Sequence, residues 1–301
     1  MANPAAPRLI GEPRVVWAAQ ATLGEGTTWS VRHQALYWVD LLGHRLHRYH
    51  PASEAKKSWA FDEEITAVAE RASEPGLLVT LKRGFAFFDP DRGSLQRLAE
   101  PEPERENNRF NDGKCDAQGR FWAGTMDFDA TAPTGAMYRY EPNGRWTRLD
   151  DGYAVSNGPT WSADGRTMYF NDTVPGRVYA FDVEPADGSL SNKRLWLQFA
   201  QGDGHPDGMT TDAEGRLWIA HWGAACVTCH DPLTARELAR IKLPTDHITN
   251  CAFGGADLRT LFITSARYGL TPEQLADQSW AGALFAIEIG SPGRPATSFA
   301  G

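Results

Sequence analysis

Short runs of β-branched and aromatic residues recur along the chain at near-constant spacing. LYWVD (36–40), LLVTL (77–81), FWAGT (121–125), MYFND (168–172), LWIAH (217–221) and LFITS (261–265) form the first set. Their second residues fall at 37, 78, 122, 169, 218 and 262, giving steps of 41, 44, 47, 49 and 44 residues. A second run with period-two alternation follows each: RLHRYHP (45–51), GFAFFDP (84–90), GAMYRYEP (135–142), RVYAFDV (177–183), CVTCHDP (226–232) and ALFAIEI (283–289). Turn signals such as AQGR, ADGR and AEGR lie between them. Alternating runs bounded by turns predict strands. A helical pattern is confined to TPEQLADQ (271–278).

Six strand-rich units of roughly 45 residues each predict an all-β chain folded as a six-bladed β-propeller. A two-sheet sandwich is the alternative, but a sandwich has no need of a sixfold repeat. The Pro- and Ala-rich start, residues 1–14, is expected to fray, with residues 15–301 forming one propeller domain. The terminal SPGRPATSFAG is expected to return and pair with VVWAAQ (15–20), closing the ring and removing sheet edges.

The 301 residues carry a net charge of −8. That excess of acid argues against nucleic acid or anionic membrane as a partner. The basic HRLHRYH run (44–50) reads as a solvated strand face. No stretch approaches the ~18 apolar residues of a membrane span, and no apolar secretory core follows the first methionine. The expectation is a cytoplasmic protein, monomeric or weakly self-associating. Cys226 and Cys229 form a lone CxxC. In a strand, residues three apart point to opposite faces, so the pair reads as plain buried thiols in a reducing compartment.

Counting back 11 or 12 residues from the six reference positions gives Glu25, Thr66, Asn111, Asn157, Asp207 and Asn250. Five of these six are carboxylates or carboxamides. In a propeller such positions ring the central axis, and oxygen donors with two carboxylates suit a central site for a hard divalent cation. Taken singly, Asn111 or Asn250 could equally serve a turn.

These stretches resemble the senescence marker protein (regucalcin), gluconolactonase and luciferin-regenerating enzyme family. The matching segments include LGEG (23–26), NRFNDGKCDAQGRFWAGTM (108–126), SNGPTWSADGRTMYFNDT (156–173), PDGMTTDAEGRLWIA (206–220) and CAFGGADLRTLFITSAR (251–267). The resemblance implies a lactone hydrolase that uses one divalent cation: Ca, Zn, Mn, Mg or Fe(II). It places the metal ligands at Glu25, Asn157 and Asp207, and substrate contacts at Arg109 and Asn111. The family's acidic sugar contact falls on Asp129, where vertebrate members carry glutamate. Pro159 replaces a more usual leucine and leaves the local strand pairing open.

Asp207 is the expected general base as well as a ligand. Arg109 would hold hydroxyls or the nascent carboxylate, the alternative being a surface ion pair with Glu106. Asp112 and Asp172 either steady the ligands or form turns. His205, His221, Tyr153 and Trp222 are further candidates for contact with substrate. The histidines show no HExxH spacing and no GxSxG is present, which argues against a zinc hydrolase or a serine nucleophile.

The expected reaction is hydrolysis of an aldonolactone, such as glucono-, xylono- or arabinonolactone, to the acid. The alternatives are a metal-dependent esterase or phosphotriesterase, and a calcium-binding regulatory propeller without turnover. A phosphotriesterase pocket should be the more apolar and the richer in aromatics.

Overall fold

The computed structural model describes residues 4–301. Its strands form six four-stranded antiparallel sheets. Five are sequential. They start on the innermost strands Gly24–Ser30, Ile65–Glu70, Asn108–Cys115, Ser156–Trp161 and His205–Thr211 and step outward in chain order. The sixth runs from Ile248–Gly254 through Thr260–Ser265 and Leu284–Ile289, and its outer strand is the N-terminal Leu9–Trp17. Each innermost strand contacts the innermost strand of the blade on either side, which completes the ring.

Two expectations are corrected here. Leu9–Trp17 is a paired strand, with Leu9 opposite Ile289, so residues 9–14 are not frayed. The ring is closed by Leu284–Ile289 and not by the C-terminal tail. The tail instead crosses to other blades: Gly293 bridges to Asp212, and Phe299 pairs with Arg71 and is fully buried against Tyr140 and Phe87.

The predicted runs are the second and third strands of each blade. Their apolar residues pack between adjacent sheets. Trp38, Trp122 and Trp218, on the second strands of blades one, three and five, are fully buried. Burial of one such indole removes about 150–250 Å² from water, roughly 4–6 kcal/mol at ~25 cal/mol/Å². The HRLHRYH run is a strand, Arg45–His50, but its His47 is buried with its ring 4.3 Å from that of Trp38. The solvated-face reading therefore fails at that position. TPEQLADQ does hold the one helix among the described residues, Pro272–Asp277, started by a Thr271 and Gln274 capping box. No described helix is long and apolar enough to cross a membrane.

The DAQGRFW and DAEGRLW repeats have a common cause. Asp116 accepts from Arg120 Nε at 2.6 Å and Trp122 Nε1 at 2.9 Å, and Asp212 does the same with Arg216 at 2.7 Å and Trp218 at 2.9 Å. Gly119 and Gly215 between them have φ of 75° and 81°, a left-handed turn that glycine enters at no steric cost. One buried carboxylate thus ties the turn, an arginine and the core tryptophan together.

Candidate functional site

Every innermost strand carries a register shift against its neighbour, and all six fall at the same phase. The shifts lie between Glu25 and Thr28, Ile65 and Ala67, Phe110 and Gly113, Asn157 and Thr160, Pro206 and Met209, and Ile248 and Cys251. A β-bulge sets two residues against one and re-aims side chains. Of the six repeat residues, Glu25, Asn111, Asn157 and Asp207 meet in one cavity; Asn250 reaches it only through Glu25, and Thr66 does not line it. The shift at Pro159 is one of the six, so the proline stands where the ladder is already interrupted.

Glu25, Arg109, Asn111, Asn157 and Asp207 line the floor of one cavity of about 340 Å³. Asn111 Nδ2 donates to Asn157 Oδ1 at 2.9 Å, and Arg109 Nη1 donates to Asn111 Oδ1 at 2.6 Å. Asn157 Nδ2 is held by Thr173 Oγ1 at 2.9 Å, which fixes the amide with its oxygen toward Asn111. Asn250 Nδ2 donates to Glu25 Oε2 at 3.3 Å and to Asp112 Oδ2 at 3.2 Å. Gly208 fits beneath Asn250 because a Cβ there would stand 2.2 Å from Asn250 Nδ2.

Asp112 lies within the bulge and forms no turn. Besides Asn250, it accepts from the Gly158 amide at 3.2 Å, so one carboxylate joins three blades directly behind Glu25 and Asn157. Asn250 is likewise a strand residue, and Thr66 bonds Thr80 at 2.7 Å. Asp172 takes the other course. It accepts from Ala154 and Val155 amides at 3.1 and 3.4 Å and holds the loop that carries Val155 to the cavity. Asp40, at the matching end of LYWVD, does this for Thr22 and Leu23.

Burial first, and then the neighbouring Asp112 charge, pushes Glu25 up to about 8. Burial and the charges of Glu25 and Asp112 push Asp207 well above the usual carboxylate range. Burial lowers Arg109 to about 10 against the opposing pull of Glu25. Among the described residues, Glu25 Oε1 and Asp207 Oδ2 receive no hydrogen bond. Two crowded, buried carboxylates beside a fixed amide oxygen are a donor set that fits a hard cation. Among the described residues no three His, Cys, Asp or Glu side chains converge as a metal cluster, so such a cation would rest on two carboxylates and an amide.

Other expected contacts are not brought together. Asp129 is exposed and accepts from Asn107 Nδ2 at 3.2 Å, while its neighbour Ala130 lines the cavity. Tyr153 is buried against Phe170, with its hydroxyl on Asp150. Arg109 is buried and, among the described residues, is in no ion pair, so the Glu106 alternative fails. Cys226 and Cys229 are both buried and unbridged.

His205 and Trp222 do line the cavity, joined by Leu23, Val155, Val174 and Tyr268. This outer wall is mostly apolar and aromatic, and the carboxylate, amide and guanidinium groups lie at the floor. Leu23, Val155, Val174 and Tyr268 sit in connections between strands, where no periodicity marked them.

His221 is fully buried away from the cavity, its Nδ1 on the Asp203 carbonyl at 2.8 Å and its Nε2 on Thr228 Oγ1 at 2.7 Å. Burial lowers it from 6.5 to about 4. Below 6.5 the unfolded chain takes up a proton that the folded chain refuses. The stabilising contribution is therefore complete above pH 6.5 and lost as pH falls toward 4, by about 3 kcal/mol at most. Melting curves from pH 7.5 to 4.5 should show a shallower loss for His221→Gln than for the parent. Parallel slopes would refute the assignment.

The sequence pattern of the SMP-30/Gluconolactonase/LRE-like region matches residues 23–267. The chain belongs to this family. It is 36% identical over 282 residues to YvrE of Bacillus subtilis, provisionally named a sugar lactone lactonase, covering 94% of this chain and 96% of that one. Regucalcin of Oryctolagus cuniculus is 36% identical over 285 residues, covering 92% and 95%. The solved structure of a calcium-binding protein, regucalcin, from Agrobacterium tumefaciens superposes with a TM-score of 0.91 at 29% identity and covers 97% of both chains. Within the family match lie all six axial residues, Glu25 to Asn250, together with Arg109 and Asp129.

Proposed function

We propose that this member of the family hydrolyses the ring ester of a sugar lactone to the open-chain acid, with one divalent cation held by Glu25, Asn157 and Asp207. The observation that carries the reading is the cavity floor: two buried carboxylates with unused oxygens, a fixed amide oxygen and a buried guanidinium within one small space. Relatives named as lactonases support the reaction class, and the calcium-binding relative supports the cation.

When bound, the cation supplies Lewis-acid polarisation and lowers the pKa of water. The chain's own residues do the rest. Asp207 takes a proton from the attacking water as its oxygen bonds to the lactone carbonyl carbon. Arg109 lies in the same cavity, where its guanidinium would face the negative charge that develops on the carbonyl oxygen. The bond from that carbon to the ring oxygen then breaks, and the ring oxygen takes the proton from Asp207. Asn111, clamped between Arg109 and Asn157, orients the hydroxyl next to the carbonyl. Asn250 and Asp112 hold Glu25 and the Gly158 amide in place.

The apolar outer wall favours a second reading, a cation-dependent esterase or phosphotriesterase on the same floor. Both readings, and that of a calcium-binding regulator without turnover, are separated by one assay. Chelator-stripped protein is given five- and six-membered aldonolactones, an aryl ester and a phosphotriester, each with Mg²⁺, Mn²⁺, Zn²⁺, Fe²⁺ or Ca²⁺. Acid release above the spontaneous rate is expected for lactones and only with added cation. No acceleration on any lactone would refute the proposal.

A further inference from the structure

Resting on the lactonase reading above, we infer that the substrate bears hydroxyls near its carbonyl and a deoxygenated, apolar group at its far end. The floor and the aliphatic side of the outer wall differ in hydrogen-bonding capacity. Arg109, Asn111 and Asn157 sit at the floor beside the carboxylates. Leu23, Ala130, Val155 and Val174 in the wall offer only hydrocarbon.

The wall's side chains carry four polar groups: Thr173 Oγ1, the His205 ring, Trp222 Nε1 and the Tyr268 hydroxyl. Thr173 Oγ1 donates to the Pro206 carbonyl at 2.8 Å and accepts from Asn157 at 2.9 Å. His205 Nδ1 donates to the Thr173 carbonyl at 3.1 Å, which leaves Nε2 as a single acceptor. Trp222 stacks on His247 with ring centroids 3.8 Å apart, and His247 Nδ1 is fixed to the Tyr268 carbonyl at 2.8 Å. Trp222 Nε1 and the hydroxyl of the half-exposed Tyr268 have no partner among the described residues, so the hydrocarbon side of the wall is that of Leu23, Ala130, Val155 and Val174.

The carboxylate of Asp129 is not among the groups that line this cavity. Asp129 and Asp127 share Asn107 Nδ2, and Asp127 Oδ2 accepts from Thr131 N, Thr131 Oγ1 and Ala132 N, which pins the whole loop. Ala130 is what the loop presents to the cavity. An anionic tail is equally unsuited. Among the described residues the only lysine or arginine lining this cavity is Arg109, and it belongs to the floor.

A terminal hydroxyl against Leu23, Ala130, Val155 and Val174 would lose its water and find no side-chain partner there. A methyl in its place meets hydrocarbon. A pocket of this kind discriminates by about 10-fold to 100-fold.

The test uses the whole protein loaded with Mn²⁺ and two pairs of lactones that differ only at the sixth carbon: L-rhamnono- against L-mannono-1,4-lactone, and L-fucono- against L-galactono-1,4-lactone. The deoxy member of at least one pair should be favoured by about 10-fold or more in kcat/KM. Val174 is half-exposed, so Val174→Asn should fold, and it should narrow that ratio by giving the hydroxyl a partner. Ratios near one or inverted in both pairs, with hydrolysis intact, would overturn this inference and leave the lactonase reading standing. A ratio unmoved by Val174→Asn would remove the tail from this wall and overturn it too. Absence of cation-dependent hydrolysis of all four lactones would overturn both readings.

Discussion

Asp207→Ala is expected to reduce kcat/KM by about 10³-fold or more while leaving the fold intact. General-base transfer contributes about 10²–10⁴ in rate, and the same substitution removes one oxygen ligand. The fold should survive because Asp207 is not held by a partner it stabilises. Its Oδ1 accepts only from the adjacent Gly208 amide at 3.0 Å, and burial beside Glu25 and Asp112 disfavours its charge. Removing that charge relieves repulsion, so the melting temperature of the cation-free variant should match or exceed the parent's. Turnover within tenfold of the parent at saturating cation would eliminate Asp207 as the base. A collapse in melting temperature would show that its carboxylate holds the bulges together.

Asp212→Ala should do the reverse, destabilising the fold without touching the chemistry. Asp212 is fully buried and accepts from Arg216 Nε, Trp218 Nε1 and the amides of Glu214 and Arg216. Removing one partner of a buried ion pair costs about 3–5 kcal/mol because the other charge is left behind. The lower end applies, about 3 kcal/mol, since Arg216 keeps the Ala5 carbonyl at 2.8 Å and Glu214. The urea midpoint measures this. A loss below ~1 kcal/mol would mean that the turn geometry, and not the carboxylate, is what the DAEGRLW repeat preserves.

That repeat also shows what the sequence could reveal. Asp116, Gly119, Arg120 and Trp122 recur as Asp212, Gly215, Arg216 and Trp218 because a local hydrogen-bond motif requires local spacing. Local requirements leave local signatures. The axial residues were legible for a related reason: every blade places its bulge at one phase, so counting back from the second strand reaches the same point six times. The bulges themselves were not legible. Glu25, Asn157 and Asp207 precede glycine, but Asn111 precedes Asp112 and Asn250 precedes Cys251, so no residue type marks them.

Outer strands such as Ala55–Ala60 and Ser94–Ala99 are mostly exposed and polar, and without a buried face they show no alternation. The side-chain direction of Asp129 depends on Asn107 and Asp127, which meet it only after folding. His47 and His221 are polar by sequence yet buried, because each finds a hydroxyl partner on a neighbouring strand, Ser58 and Thr228.

The pairing of Leu9–Trp17 with Leu284–Ile289 has a bearing on biosynthesis. As the chain emerges from the ribosome, its first strand has no mate until the last blade is made. At about 5–20 residues per second, that wait is on the order of tens of seconds. During that time the nascent chain carries an unpaired strand that invites wrong partners, so chaperone demand should fall once Leu284–Ile289 is free to pair with it.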